Sequence, residues 1–261
     1  MCTPSRLKGG QGTGEGDAPW RIYTGRMCGR FTLTPENVEF VAQQLGISPS
    51  EVFEEHYVPR WNIAPMQEHW VVTSEREELA PQRATWGLVN WWEDTRREGA
   101  KYINARAESI ESRRPFREAF QQGRCLIPAD GFFEWTGEKN ARRPFWFHRP
   151  DDGVFAFAGL YTSARLKGEE AATTTFTIVT TEANGLVGRI HDRMPVVLPD
   201  EQATAAWLYA GQDRATLRGL LRPVADGYLV ARPVSTRANS VQNDDPACLE
   251  EAEGEMQGTL L

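Results

Sequence analysis

Five short segments of this 261-residue chain combine reactive, polar and aromatic side chains in a way that packing alone does not require. They contain a thiol, a carboxylate, an imidazole and an amide, and groups of this kind carry nucleophilic and acid–base chemistry in proteins. In chain order, the segments are Met27-Cys-Gly-Arg-Phe31, Trp61-Asn-Ile-Ala-Pro65, Ile103-Asn-Ala-Arg-Ala-Glu108, Asp130-Gly-Phe-Phe-Glu-Trp135 and Ile190-His-Asp-Arg-Met-Pro195.

The candidate reacting side chains are Cys28, Glu134 and His191. A thiol titrates near ~8.5 in model compounds, so Cys28 can supply a thiolate around neutrality, although a free cysteine is more often a small buried hydrophobe. Glu134 stands between Phe133 and Trp135, where aromatic walls would raise its carboxyl pKa and make it a proton carrier. A strand glutamate that faces solvent is the alternative. His191 can exchange a proton near neutral pH, but a single histidine is usually structural.

Together, in this order and at these separations, the five segments resemble the SOS-response-associated peptidase (SRAP) family. The similarity extends from Met27 to about Asn243, and five independent motifs in register make it specific. The resemblance implies abasic-site processing in single-stranded DNA, through a covalent thiazolidine crosslink that is later reversed. It also leaves room for abasic-site lyase activity and for autopeptidase activity of a hydrolase type.

By this resemblance, Cys28 captures the aldehyde of a ring-opened abasic deoxyribose. An N-terminal cysteine carries an α-amine that titrates near ~7.7 to 8.0 beside its thiol, so it can form an imine and close it to a thiazolidine. Glu134 is expected to deprotonate this amine and assist reversal, and His191 to open the sugar ring as a general acid/base. Asn104 is expected to hydrogen-bond the opened sugar, with a turn or strand-end cap as its alternative role.

The expected DNA contacts are arginine, tryptophan and asparagine side chains. Three arginines lie within two residues of a proposed catalytic side chain, which would bring backbone phosphates to the reactive site, although surface arginines are often only solvated. Two adjacent tryptophans could stack or wedge against bases, with core packing as the equal alternative. Asn62 and Pro65 are expected to shape the pocket wall, and Glu108 to pair with an arginine. The predicted DNA-binding residues are Arg30, Asn62, Trp91, Trp92, Arg106 and Arg193.

Cys28 departs from the family pattern in one respect. In this numbering it is internal, and its amide nitrogen cannot form an imine. Two explanations stay open: translation begins at Met27, or residues 1–27 are removed by proteolysis, for which the family's name suggests the protein itself as the peptidase. Cys2 also follows a methionine, but the Thr-Pro-Ser-Arg sequence after it does not match the motif.

Two other functions remain open from the sequence. Cys28 could attack an acyl carbon with His191 as its base, which would make the protein a cysteine amidase or peptidase. Alternatively, the chain could be a noncovalent single-strand-binding module. The amidase or peptidase hypothesis leaves the arginine and tryptophan residues unexplained. The binding-module hypothesis leaves Cys28 and Glu134 without a role.

Composition places the chain among ordinary globular proteins, with 40% hydrophobic and 25% charged residues. It has no apolar run of ~20 residues, and its first 26 residues lack the apolar centre of a secretory signal. We therefore expect a cytoplasmic protein that makes no membrane contact. We also expect a monomer, which associates with the nucleoid when bound to DNA. The four cysteines form no C-x-x-C pair, so neither a metal nor another cofactor is expected.

The net charge of −7 is concentrated at the C-terminal end. Residues 241–261 contribute −6 and residues 1–26 contribute +2, which leaves −3 for the remaining body. A nearly neutral body can still carry a local basic groove, and 25 of the 29 basic residues are arginine, which suits phosphate contact. We expect a flexible N-terminal extension over residues 1–26, a catalytic domain over 27–245 and a solvated acidic tail over 246–261.

The elements that must position the site are predicted from periodicity and capping. Thr34 and Pro35 predict the start of an amphipathic helix that Gly46 ends, and further helices are expected around 110–121 and after Asp200. Strands outnumber helices, which favours a single α+β domain on a curled, mainly antiparallel, barrel-like sheet with peripheral helices. The predicted strands are Trp70–Thr73, Arg124–Ile127, Phe145–His148, Val154–Leu160, Thr175–Thr181, Met194–Leu198 and Tyr228–Val234.

Overall fold

A computed structural model describes residues 29–48, 50–75, 78–138, 140–209 and 213–252. Its α-helices are α1 (Val38–Leu45), α2 (Glu51–His56), α3 (Arg114–Gln122), α4 (Glu201–Leu208) and α5 (Arg214–Leu220). Its strands are β1 (Phe31–Leu33), β2 (Arg60–Ile63), β3 (Glu68–Glu75), β4 (Glu78–Trp86), β5 (Asn104–Arg106), β6 (Arg124–Ala129), β7 (Gly131–Thr136), β8 (Arg143–His148), β9 (Phe155–Ala164), β10 (Thr173–Glu182), β11 (Arg193–Pro195), β12 (Val197–Leu198) and β13 (Val230–Pro233).

These strands form two sheets. The smaller sheet has the order β13–β8–β7–β1–β2, and its neighbouring strands are antiparallel. In the larger sheet, β10 pairs with both β9 and β4, while β3 and β6 connect those two strands, so the sheet curls back on itself. Only the pairings of β10 with β4 and β5 are parallel among the described strands. The predicted α+β fold on a curled, mainly antiparallel sheet is confirmed, with its strands divided between two sheets.

Aromatic side chains join the two sheets. The ring of Phe31 on β1 lies edge-on to Trp86 at 5.2 Å and to Phe157 at 5.8 Å, between ring centroids. Phe132 on β7 stacks on Phe147 of β8 at 5.1 Å and also meets Phe157. All five rings are almost completely buried, and burial of each such side chain stabilises the fold by roughly 1.5–3 kcal/mol.

Helix α1 shows how local chemistry sets an element's limits. Its N-cap is Asn37, whose side chain accepts a hydrogen bond from the Phe40 amide at 2.8 Å, so the predicted start at Thr34 was wrong. The Thr34 amide instead donates to the Asp130 carboxylate at 3.0 Å. Gly46 ends the helix as predicted, in a left-handed conformation with φ of 65° that a residue with a side chain adopts less readily.

The other predictions vary in accuracy. Asp200 caps α4 as predicted, because its side chain accepts from the Ala203 amide. The predicted helix around 110–121 is α3, which begins later, at Arg114, after a short 3-10 turn. The predicted strand Met194–Leu198 is divided into β11 and β12. None of the described helices is long and apolar enough to cross a membrane.

The beginning of the acidic C-terminal segment is packed against the domain. Pro246–Leu249 forms a 3-10 turn that Asp245 caps, and Cys248 is buried in a small apolar cluster with Phe133 and Trp146. A bridge between Val234 and Glu251 extends this contact. The structure therefore differs from the expected solvated tail at 246–252, because the cap and the buried thiol hold this part of the segment. Residues 1–26 and 253–261 of the expected extension and tail lie outside the described residues.

Candidate functional site

Glu134 lies on the face of β7 that packs toward the larger sheet. Side chains alternate along a strand, so Glu134 shares its face with Phe132, which belongs to the main core. Phe145 of β8 lies opposite it in register, and Glu134 is only 4% exposed. Phe133 and Trp135 pack in the separate small cluster on the other face. The aromatic surroundings expected for this carboxylate therefore come from Phe132 and Phe145 and not from its neighbours in sequence.

The described chain starts beside this carboxylate. Phe31 pairs with Phe132, and the Phe133 amide donates to the Arg30 carbonyl at 3.1 Å. In an antiparallel pair, the chain before Arg30 runs toward the residues after Phe133. Gly29 therefore lies at the Glu134 end of β7. Cys28, the candidate nucleophile, lies outside the described residues.

Arg30 is bound within the protein. Its Nη1 donates to Asn62 Oδ1 at 2.8 Å and to the Ala238 carbonyl at 2.9 Å, and its Nη2 donates to the Asn239 carbonyl at 3.4 Å. The guanidinium also lies over the Trp135 ring, 5.7 Å from its centroid. Burial lowers the pKa of the Arg30 guanidinium from its ordinary value. These contacts tie the chain next to Cys28 to the segment around Ala238.

Asn62 is fully buried in β2. Its Oδ1 accepts from Arg30, and its Nδ2 donates to three backbone carbonyls. This burial gives Asn62 the role of holding Arg30 and the C-terminal segment in place, and its amide is not exposed for a direct DNA contact. The three carbonyls belong to Ala238 at 3.3 Å, Ser240 at 2.9 Å and Asn243 at 2.7 Å.

The two other polar motifs meet at β10. Asn104 and Arg106 lie on β5, whose parallel pairing places Arg106 opposite Thr180. Thr180 also pairs with Pro195 on β11, so β5 and β11 flank β10 at the same residue. The strand β11 begins at Arg193, directly after the loop that carries His191. The tertiary structure thus brings together two motifs that are far apart in the sequence.

Arg193 and Glu108 link these two motifs directly. Arg193 Nη1 and Nη2 donate to Glu108 Oε1 and Oε2 at 2.5 and 2.9 Å, and Nη2 also donates to the Thr180 carbonyl at 2.8 Å. The hydrogen bonds from Arg193 hold the pKa of the Glu108 carboxyl group below its usual value. The predicted pairing of Glu108 with an arginine is confirmed. Arg106, in contrast, is exposed.

His191 is almost completely buried, with 4% of its surface exposed. Its Nδ1 accepts a hydrogen bond from the Arg193 backbone amide at 3.0 Å. The exposed Asp192 carboxylate lies 3.3 Å from the same ring nitrogen. The backbone of its own loop therefore orients the imidazole.

Asn104 of the larger sheet and Glu134 of the smaller sheet lie on the faces of the two sheets that point toward each other. Phe176 of β10 stacks on Trp86, which in turn contacts Phe31 of the smaller sheet. Asn104 lies opposite Ile178 of β10, and Ile178 is two residues after Phe176, so its side chain is on the same face of the strand. Asn104 therefore lies on the face of the larger sheet that points toward the smaller sheet. Glu134 lies on the face of the smaller sheet that points back. The fold thus directs both polar groups toward the space between the sheets.

The two candidate tryptophans occupy different environments. Trp91 is 71% exposed, so core packing does not account for it, whereas Trp92 is half-buried. Their rings meet edge-on at 5.4 Å, and the Arg114 guanidinium lies over Trp92 at 4.3 Å from its centroid. Trp91 is therefore available for stacking.

Two supporting residues were missed from the sequence. The Trp86 indole donates to the Ile103 carbonyl at 2.8 Å and so holds the residue before Asn104. Thr180 pairs with Arg106 of β5 and with Pro195 of β11. Neither residue carries a local signal, because its role depends on which strands become neighbours. Within the described ranges, no group of three or more His, Cys, Asp or Glu side chains is arranged to hold a metal ion.

The comparisons with known proteins agree with one another. Residues 27–241 match the family SOS response associated peptidase (SRAP). The chain is 36% identical over 226 residues to abasic site processing protein YoqW of Bacillus subtilis (strain 168), covering 86% of this chain and 99% of that protein. It is 31% identical over 179 residues to abasic site processing protein YedK of Escherichia coli (strain K12), covering 68% of this chain and 78% of YedK.

The fold has a similar solved structure. A protein from Bacteroides thetaiotaomicron superposes with a TM-score of 0.75 at 24% identity, over 86% of this chain and 100% of that one. This likeness concerns the fold, whereas the match along residues 27–241 and the identity with YoqW concern the sequence itself. The chain belongs to the SOS response associated peptidase (SRAP) family.

Proposed function

We propose that this protein processes abasic sites in single-stranded DNA by forming a covalent, reversible crosslink through Cys28. The similar proteins YoqW and YedK are named abasic site processing proteins, which supports the general role. The observation that carries the proposal is the strand register between β1 and β7. It sets the buried carboxylate of Glu134 beside the chain that leads to Cys28.

Covalent geometry limits how far Cys28 can be from this carboxylate. Consecutive Cα atoms are 3.8 Å apart, so the Cα atom of Cys28 lies within about 7.6 Å of that of Arg30. The Arg30 carbonyl is bonded to the amide of Phe133, the residue before Glu134. In the proposal, this short link lets an amine on Cys28 reach a proton carrier that is itself fixed in a strand.

The chemistry needs an α-amine and a thiol on the same residue. Glu134 takes a proton from the amine, which then attacks the aldehyde carbon, and the adduct loses its oxygen as water to give an imine. The Cys28 sulfur adds to the imine carbon, and the thiol proton passes to the nitrogen. The product is a thiazolidine, and the net change is the loss of one water. Reversal runs through the same steps in the opposite order.

The remaining polar residues act on the DNA in this proposal. Asn104 binds the opened sugar, His191 promotes ring opening, and the exposed Arg106 and Trp91 bind phosphate and base. Elimination of the 3′ phosphate from the imine would give lyase activity, and removal of residues 1–27 by the protein itself would be its peptidase activity. We also propose that the protein is cytoplasmic and monomeric.

Intact mass spectrometry tests the proposal. A protein that begins at Cys28 is mixed with a single-stranded oligonucleotide that carries one abasic site, and the expected product is the sum of both masses less one water. In Cys28→Ser, we expect no heat-stable adduct but nearly unchanged DNA affinity, because ring closure through oxygen gives a less stable product. An undiminished heat-stable adduct in this variant would exclude the mechanism.

The same experiment separates the alternatives. A cysteine peptidase would cleave acyl substrates without gaining an oligonucleotide, and a noncovalent module would retain DNA only until denaturation. Because an amide nitrogen cannot condense with an aldehyde, a protein that keeps residues 1–27 should form no thiazolidine. A crosslinked species in which Met1 to Met27 are still attached would contradict the proposed chemistry.

A further inference from the structure

The loop that carries His191 is fixed at several points. The His191 amide donates to the Val187 carbonyl at 2.9 Å, and the Ala183 amide donates to the Asp192 carbonyl at 3.0 Å. The Arg193 amide donates to His191 Nδ1 at 3.0 Å. The loop is thus tied to the preceding 3-10 turn and to the end of β10, and it also ties the imidazole to its own backbone.

This last bond determines which ring nitrogen carries the proton. A neutral imidazole has one N–H donor and one acceptor nitrogen, and a nitrogen that accepts from an amide cannot hold the proton. The Arg193 carbonyl and the Asp192 carboxylate also lie 3.3 Å from Nδ1. A proton on Nδ1 could be donated to one of those acceptors, but the Arg193 amide would then lose the shorter hydrogen bond that it donates to this nitrogen. The amide geometry therefore assigns the proton of the neutral ring to Nε2.

The side chain of Arg193 is the second anchor of this arrangement. Its two hydrogen bonds to the Glu108 carboxylate join the start of β11 to the turn after β5, and its hydrogen bond to the Thr180 carbonyl joins the start of β11 to β10. The Arg193 side chain is 11% exposed, and that of Glu108 is 56% exposed. Bidentate pairs of this kind fix orientation as well as supplying energy. The residue whose amide orients His191 is therefore also the residue whose side chain Glu108 binds.

We infer that Glu108 and Arg193 form a positioning pair that orients the His191 imidazole so that its neutral form carries the proton on Nε2 and meets the substrate as a hydrogen-bond donor. The inference rests on the proposed function only for the identity of the acceptor, an oxygen of the abasic deoxyribose. The orientation itself is a property of the DNA-free protein. Glu108 is a positioning residue here, because it acts through Arg193 and not on the DNA.

Nitrogen NMR of histidine-labelled, DNA-free protein tests the tautomer. At neutral pH, we expect the neutral form of His191 to show the Nε2–H tautomer alone, with its signals assigned by comparison with His191→Ala. An Nδ1–H tautomer or an even mixture of the two would overturn the inference. This result does not depend on whether the protein crosslinks abasic DNA, so it is separate from the test of the proposed function.

A matched pair of variants tests the role of Glu108. Glu108 and Glu182 line one cleft, and Glu182 pairs in register with Arg193 from β10. Glu108→Gln and Glu182→Gln therefore each remove one negative charge from the same cleft, but only Glu108→Gln breaks the bidentate pair with Arg193. We expect Glu108→Gln to slow single-turnover crosslinking by about 10-fold or more, because small displacements of reacting groups have large effects on rate.

Three controls accompany this comparison. The affinity for undamaged single-stranded DNA should stay the same or rise in both variants, because each removes a negative charge. Thermal unfolding shows whether Glu108→Gln is folded, and the His191 NMR signals should shift in Glu108→Gln but not in Glu182→Gln. Equal crosslinking rates and unchanged His191 signals in folded Glu108→Gln would show that Glu108 does not position His191.

Discussion

A nearly buried carboxylate such as Glu134 is costly to maintain in a core. Removing a charge from water is expensive unless other groups compensate for it, and protein interiors rarely hold such a residue without a partner or a task. Glu134 nevertheless lies in the middle of β7, between core phenylalanines and beside the start of β1. This placement supports the proton-transfer role that we propose for Glu134 over a structural one.

Substitution of Glu134 should separate reversal from binding. In Glu134→Gln, the side chain keeps its shape but cannot carry the proton, so we expect release of a preformed crosslink to slow by about 100-fold. DNA affinity should not fall, because the substitution removes a negative charge from the neighbourhood of the proposed DNA site. Release is measured by transfer to excess competing abasic DNA, with the exposed Glu138→Gln as the control. Release at the wild-type rate from Glu134→Gln would remove this residue from the mechanism.

At the scale of elements, one arginine joins the ends of two helices. Arg124 lies in β6 and is only 8% exposed. The last carbonyls of a helix have no partner within the helix, and a cation at this end also interacts favourably with the helix dipole. Burial lowers the pKa of the Arg124 guanidinium. Its acceptors near the ends of α3 and α4 are the carbonyls of Phe120, Gln121, Trp207 and Tyr209, at 2.8, 3.1, 2.6 and 3.0 Å.

Loss of this guanidinium should destabilise the whole domain. Arg124→Met keeps much of the apolar stem but leaves buried carbonyls without their donor, so we expect the free energy of unfolding to fall by about 3 kcal/mol. Urea unfolding followed by tryptophan fluorescence measures this change. Arg117→Met removes an exposed arginine from α3 and should have little effect. Equal stability of the two variants would show that Arg124 does not join the helices.

At the scale of the whole molecule, a buried histidine links stability to pH. His69 lies in the core, where its Nε2 is 3.0 Å from the Pro128 carbonyl and its ring is edge-on to Phe31. Burial lowers the pKa of His69 to about 3, the hydrogen bond to Pro128 opposes this shift, and Arg60 and Arg83 add to it. Below the ordinary histidine pKa of ~6.5, the unfolded chain binds a proton that the folded protein does not.

Stability should therefore decrease as the pH falls from about 6.5 toward 3. For each pH unit of acidification within that window, this one group lowers the free energy of unfolding by up to about 1.4 kcal/mol. Above the window, its contribution to stability is fully present. Urea unfolding at pH 7.5 and 5.5 should show a smaller pH dependence in His69→Gln than in the wild type. The exposed His56→Gln serves as the control. The same pH dependence in all three proteins would contradict the assignment to His69.

Local chemistry explains what could be predicted of this fold. Helix α1 follows from its apolar spacing and Gly46, α4 follows from the Asp200 cap, and the long strands follow from their apolar and β-branched runs. Strands β1, β2 and β5 have only three or four residues, which is too short for a period to be recognised. The division into two sheets was not predictable, because strand pairing depends on contacts between distant segments.

The sequence by itself determined the family of this protein and its candidate reactive residues, because the five motifs are contiguous and carry their chemistry in their side chains. Only the tertiary structure decided how those residues are used. It buried Asn62 against the C-terminal segment, exposed Trp91, and joined Glu108 to Arg193 across 85 positions of the chain. The physical reason is the position of β10. One strand that pairs with both β5 and β11 sets two remote motifs side by side, and no local pattern specifies which strands will be its neighbours.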